Sequence, residues 1–501
     1  MKNILLIFCL GIFGFACAQT KTVQLVTTTE NKAWTQQAQI TPSNTTAASD
    51  IIIDLTKTQQ TMQGFGTCFN ELGWTSLNVL KAEDREAIMK ELFAPGVGAN
   101  FTICRMPVGA NDFSINWYSY NETDGDFGMT KFSIENDKNT LIPFIKNAQQ
   151  YLPGLEIWAS PWSPPSWMKY NKHYASRSSL SMAEMAKKYA EQRKAQGDTT
   201  KLGGFFSMIL NPKYQNDLPI DKEGKEGTNM FIQNEKYLNA YALYFSKFVD
   251  AYKNEGIKIA AVMPQNEFNS AQVFPSCCWT AKGLANFIGV YLGPAMESKG
   301  VDVLFGTMER PKEALVDTIL TDPKSGKYVK GVGFQWAGKD ALPGINKRYP
   351  NLKFYQSEQE CGDGMNDWKG VLYSWDLLKH YLNNGVSVYE YWNTSLLKGG
   401  ISRWGWAQNS LVVVDADAKT YNYSNEYYLL KHVSHFVRPG AKKLETGGEY
   451  KDLLAFINPD QSIVVVVANQ EQEAKTVNIK INDKVYSPKL APNSFNTLTI
   501  N

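Results

Sequence analysis

Two short segments, Pro264-Gln265-Asn266-Glu267 and Tyr355-Gln356-Ser357-Glu358, each end an apolar, β-prone run with a glutamate. Hydrolysing a glycosidic bond with retention takes two such carboxylates held about 5 to 5.5 Å apart, one serving as acid and then base, the other as nucleophile. Separation along the chain is no obstacle. If both runs are parallel strands of one β/α barrel, Glu267 and Glu358 emerge together at its C-terminal rim, where barrel enzymes keep their chemistry. Taken singly, a glutamate is more often a salt-bridge partner than a catalyst, so its neighbours decide. Glu360 competes for the nucleophile's place, since residues 358 and 360 share a face if the strand continues, but Gly362 and Gly364 argue that it stops. Glu390 sits in another apolar run and can face a barrel interior, and Asp363 suits a turn or a substrate contact.

Placing these groups requires a sheet, and the chain alternates apolar runs with amphipathic stretches in the way that builds a parallel one. Candidate strands span residues 61–69, 100–105, 155–160, 258–264, 301–305, 329–335, 352–357 and 386–392. Crossover helices are expected over 76–92, 235–254, 281–299 and 367–383. The fold class is therefore α/β, a (β/α)8 TIM barrel over residues 56–434. Residues 22–27, 51–55, 462–468, 475–481 and 493–500 break the alternation as short strands between turn residues. They predict a small β-sandwich assembled from both chain termini, residues 19–55 and 435–501, packed against the barrel. The segment 167–233, with a charged helical stretch at 181–195, is long for a loop and is placed on the catalytic face, where it can wall a cleft or simply elaborate the surface.

The 501 residues carry a formal net charge of +2, which gives no field for nucleic acid or anionic lipid, so a neutral partner fits better. Aromatics make up 13% of the chain, enough to stack on sugar rings and equally what a large core uses. Lys2, an apolar stretch over 4–15 and the small residues Ala16 and Ala18 form an export signal covering residues 1–18, with cleavage expected after Ala18. A lipoprotein anchored at Cys17 is the weaker alternative, because Gly14 stands where such signals favour a leucine-like residue. No later run approaches the ~20 apolar residues of a membrane span. Cys68, Cys104, Cys277, Cys278 and Cys361 lack metal-ligand spacing, and the adjacent pair is expected as two thiols in preference to a strained disulfide. His432 and His435 have no acidic partner in sequence and are expected to cap or pack. No cofactor motif and no metal site are legible.

Several motifs in shared order resemble glycoside hydrolase family 30, the family of acid β-glucosylceramidases and β-1,6-glucanases. They are Gln63-Gly64-Phe65-Gly66; Arg105-Met106-Pro107-Val108-Gly109 with Asp112-Phe113-Ser114; Tyr118-Ser119-Tyr120; the run from Ala159 to Met168; Pro264-Gln265-Asn266-Glu267; Pro275-Ser276 with Trp279-Thr280; and the run from His435 to Gly440. The resemblance implies that Glu267 is the acid/base and Glu358 the nucleophile. It also implies that Asn266 bonds the sugar 2-hydroxyl and that Arg105 holds Glu358 ionised. Asp112, Trp162 and Trp392 would line the subsite of the sugar cleaved at its anomeric carbon; the plainer reading of the two tryptophans is core packing. One departure stands out. Many family members end the sixth strand with histidine, whereas Gln335 is found here, a group that hydrogen-bonds but does not titrate near neutral pH. The expected substrate is a β-1,6-linked glucan, with glucosylceramide-like lipid or xylan as alternatives; a glycan-binding protein on an inactive scaffold is the reading from another class. Endo or exo action and oligomeric state stay open.

Overall fold

The computed structural model describes residues 23–44, 48–197 and 209–501. The expected export signal, with Cys9 and Cys17, lies outside the described residues. Eight parallel strands close into a barrel: Gly64–Cys68, Ile103–Pro107, Glu156–Ser160, Ile259–Val262, Asp302–Met308, Val329–Gln335, Lys353–Glu358 and Val386–Asn393. The last pairs with the first, Glu390 opposite Gly66, so no strand edge is left open. The eighth strand, VSVYEYWN, is buried at every residue, as a strand covered on both faces must be. Close approach explains one glycine directly: a Cβ on Gly66 would lie 1.5 Å from the Ile103 carbonyl oxygen of the neighbouring strand.

The crossover helices wrap the barrel. Glu235–Asn254 is capped by Asn234, whose side chain accepts from the Lys236 N–H, and it buries Leu238, Tyr241, Phe245, Phe248 and Tyr252 on one face. Trp368–Asn383 is capped in the same way by Asp367. Two expected helices differ in detail. The stretch 76–92 is two helices, Glu71–Leu77 and Ala82–Phe93, because the chain turns at Asn78 to bury Leu80 before the second begins. In 281–299 the helix passes through a wider π turn, Phe287–Leu292, just ahead of Pro294, which has no N–H to continue the regular ladder.

The strand Ile51–Thr61 belongs to a second sheet, and the barrel proper starts after it, at Gly64. This nine-stranded sheet runs in the order Lys32–Gln36, Val23–Thr29, Ser494–Ile500, Ile463–Asn469, Leu453–Ile457, Lys442–Gly447, Ile51–Thr61, Ile479–Ile481, Lys484–Tyr486. Strands from both ends of the chain thus interleave in the β-sandwich around a core of its own that includes Val23, Leu25, Ile53, Val465, Val467 and Leu498. The helix Asn425–Ser434 joins the layers. Its His432 is buried, with Nδ1 and Nε2 each 2.8 Å from a threonine hydroxyl of the sheet, Thr497 and Thr28. All five described cysteines are buried and unpaired, Cys277 and Cys278 among them. Among the described residues no helix is long and apolar enough to cross a membrane.

Candidate active site

The C-terminal ends of the strands deliver the side chains that the sequence singled out. Arg105, on the second strand, is fully buried at the centre. Its Nη1 donates to Glu358 Oε2 and to the Ser357 carbonyl, both at 3.0 Å; Nη2 donates to Asn266 Oδ1 at 2.7 Å; Nε and Nη2 reach the Ser160 hydroxyl at 3.0 and 2.8 Å. The guanidinium also lies over the ring of Trp162, 4.7 Å from its centroid, and Trp162 stacks on Trp392 at 5.1 Å. Both tryptophans are packed as core aromatics, and Trp162 also lines the pocket at these strand ends.

Gln335, at the end of the sixth strand, spans the two glutamates. Its Nε2 donates to Glu267 Oε1 at 3.1 Å and to Glu358 Oε2 at 3.2 Å. Those oxygens can be no farther apart than the two bonds laid end to end, which is short of the roughly 6.5 to 9.5 Å that separates the carboxyls of inverting enzymes. Asn266 Oδ1 accepts from Arg105, from the Thr307 hydroxyl at 3.2 Å and from Gln335 Nε2 at 3.3 Å. Glu267 itself has φ +44°, the left-handed region that a side chain adopts only at a cost of about 1–3 kcal/mol. Its N–H is held by Thr307 Oγ1 at 2.8 Å, and its Oε2 accepts from Gln272 Nε2 at 3.2 Å.

Burial is the largest influence on every carboxyl here. It pushes Glu267 up, against the donors Gln335 and Gln272 and the charges of Arg310 and Arg105. It pushes Asp112 up to about 7, with the charge of Glu267 adding to it. Glu358 is pushed up as well by burial, and Arg105 opposes this while Asp112 and Glu267 reinforce it. Of these groups only Glu358 touches the guanidinium. Asp112 Oδ1 is buried without a hydrogen-bond partner, and so is Trp392 Nε1, which approaches Asp112 closely enough to lower its pKa but outside bonding geometry.

The competitors are elsewhere. The seventh strand ends at Glu358, and Glu360 turns away to Lys339 at 2.8 Å and the Tyr373 hydroxyl at 2.6 Å. Asp363 is an exposed turn residue accepting from the Met365 N–H. Glu390 faces the barrel interior, where burial pushes it up and neither oxygen has a partner.

The pocket above these groups, about 230 Å³, is lined by Asp112, Trp162, Asn266, Glu267 and Glu358 and also by residues that sequence reasoning passed over: Gln272, Phe274, Glu309, Arg310, Trp336 and Trp406. Glu309 directly follows the fifth strand, so the rule that found Glu267 and Glu358, a carboxylate where a strand ends, finds it too. Arg310 pairs with Glu226 of the long insertion, and the Gly227 N–H bonds Asn269 Oδ1 at 2.6 Å. The described part of that insertion thus reaches a residue that lines the pocket. No cluster of metal-ligating side chains occurs among the described residues.

Comparison with known proteins identifies the family. The glycosyl hydrolase family 30 TIM-barrel domain matches residues 62–192 and 221–437, and the beta sandwich domain of the same family matches residues 440–498. The chain belongs to glycosyl hydrolase family 30. Putative glucosylceramidase 1 of Caenorhabditis elegans is 28% identical over 83% of this chain and 75% of its own length. The endo-1,6-beta-D-glucanase neg1 of Aspergillus fumigatus is 26% identical over 82% of this chain and 79% of its own. The crystal structure of SrfJ from Salmonella typhimurium shares the fold, with a TM-score of 0.78 at 20% identity over 95% of this chain and 99% of that one. As a family 30 member the chain is a glycoside hydrolase, and its barrel carries the pocket just described.

Proposed function

We propose that this family 30 hydrolase cleaves β-glucosidic bonds with retention, Glu358 acting as nucleophile and Glu267 as acid/base. The observation that carries this is the Gln335 amide bonded to both glutamates, which keeps their oxygens inside the inverting separation. In the first step the Glu358 carboxylate bonds to the anomeric carbon while Glu267 gives its proton to the departing oxygen. In the second, Glu267 takes a proton from water as that water displaces Glu358. The pocket volume suits a single sugar ring, with Asp112 Oδ1 and the Asn266 amide as hydroxyl partners.

For the substrate we favour a β-1,6-linked glucan met outside the cytoplasm, after removal of residues 1–18. The polar side of the pocket, with Gln272, Glu309 and the Arg310–Glu226 pair, suits a hydroxylated leaving group better than a lipid. Glucosylceramide is the second reading, supported by the similarity to the putative glucosylceramidase. Incubation of the chain from Gln19 with β-1,6-glucan, glucosylceramide and xylan, followed by product analysis and an anomeric NMR time course, tests both parts. Release of β-configured oligosaccharide from β-1,6-glucan is expected. An initially inverted product would sink the mechanism, and no product from any of the three would favour a binding role.

A further inference from the structure

We propose that Glu309 is a specificity residue of the leaving-group subsite, a buried carboxylic acid that hydrogen-bonds a hydroxyl of the sugar departing from Glu267. This deepens the proposed function and rests on it.

The position follows from the contacts. Glu309 Oε1 accepts from the Asn269 N–H and the Ser270 hydroxyl, both at 3.0 Å, which fixes the carboxyl against the turn that leaves Glu267. Glu309 lines the same pocket as Glu267, and the foremost charges acting on it are those of Glu267 and Arg310. Asp112, at the glycone end, follows the second barrel strand and Glu309 the fifth, on opposite sides of the fourth strand that leads to Glu267. The acid/base gives its proton to the leaving-group oxygen, so a group beyond it from the glycone faces the leaving group.

The chemistry follows from what lacks a partner. Glu309 is 1% exposed, and its Oε2 makes no hydrogen bond, an expensive state for a buried polar atom. Burial, with the charge of Glu267 adding to it, pushes Glu309 up to about 8. At neutral pH it is therefore a neutral acid whose O–H is a donor without an acceptor in the free protein. Arg310, the nearest cation, is engaged by Glu226. A sugar hydroxyl supplies the missing acceptor; an aromatic leaving group does not.

The test compares kcat/KM for a β-1,6-linked glucose disaccharide with kcat/KM for 4-nitrophenyl β-glucoside, in the full mature chain and in two variants. Glu309→Ala is expected to lower the disaccharide-to-aryl ratio about tenfold, the weight of one hydrogen bond. Glu309→Gln is expected to keep the ratio within about twofold, because the amide oxygen still accepts from Asn269 and Ser270 and the amide N–H replaces the acid O–H. Both substrates report the same folded fraction, so the ratio is insensitive to how much of a variant folds. An unchanged ratio in Glu309→Ala, or an equal fall in both variants, would overturn the inference while the hydrolase reading stands. A wild-type chain inactive on both substrates would instead overturn that reading and this inference with it.

Discussion

Of the four carboxyls that line this pocket, one bonds a buried guanidinium. Arg105 touches Glu358 at 3.0 Å, whereas Glu267, Asp112 and Glu309 are pushed up chiefly by burial. Replacing Glu358 by Ala is expected to cut turnover by on the order of a thousandfold or more. Azide should then restore an inverted glycosyl azide; rescue seen in Glu360→Ala alone would move the nucleophile. For Glu267→Ala, losses of about 10²–10⁴ are expected on substrates with poor leaving groups and far smaller ones on activated aryl glucosides, since only the former need protonation. Equal losses on the two kinds of substrate would count against its acid role. Asp112 couples activity to stability. Its folded-state pKa near 7 lies above the unfolded value near 4, so the folded protein holds a proton that the unfolded chain releases. That stabilisation is full below about pH 4 and is lost as the pH rises through 7. Asp112→Asn should therefore raise Tm more at pH 8 than at pH 4, by the equivalent of about 1–3 kcal/mol, while lowering activity. An equal change at both pH values would place the proton elsewhere.

Among the elements, the first two barrel strands have the least room for change. Gly66 lies against the Ile103 carbonyl, and an added Cβ at 1.5 Å meets backbone that cannot swing aside. Gly66→Ala is expected to destabilise by about 3 kcal/mol or more by prising apart strands that place Arg105. Thermal unfolding followed by circular dichroism checks this, and a loss below about 0.5 kcal/mol would show that the pair can shift. The turn after the fourth strand works differently. Glu267 adopts its left-handed conformation because Thr307 holds its N–H and Glu309 holds Asn269 and Ser270 just beyond it. The strain sits in a residue that neighbouring strands over-determine.

Across the whole molecule, the β-sandwich and the barrel meet at the helix Asn425–Ser434, and His432 is buried in that seam. Burial, then the charge of Lys431, depresses it to about 3, against an ordinary value of 6.5. The unfolded chain thus takes up a proton between those values while the folded protein does not. The stability that His432 confers is present above pH 6.5 and is lost as the pH falls toward 3. His432→Gln is expected to flatten the dependence of Tm on pH across that window, by on the order of a few kcal/mol at its acid end. A variant with the wild-type slope would clear His432 of the effect.

The alternation of apolar runs and amphipathic stretches was enough to place all eight barrel strands, because a parallel strand buried on both faces leaves an unbroken apolar signature. The motif order was enough for the family, and the strand-end rule brought Glu267 and Glu358 to one rim. Strand periodicity could not say that 61 belongs to the sandwich and 64 to the barrel, since both sheets ask for the same β-prone residues. It also could not show that Glu360 leaves the site for Lys339 and Tyr373, a matter of which partners wait beyond the strand end. Nor could it show that Gln335 bridges both glutamates, or that Arg310, next to Glu309 after the fifth strand, pairs with Glu226 of the distant insertion. Strand identity is written in local patterns of burial. Which polar groups meet is decided only when the barrel closes, because those bonds run between residues that the chain itself holds far apart.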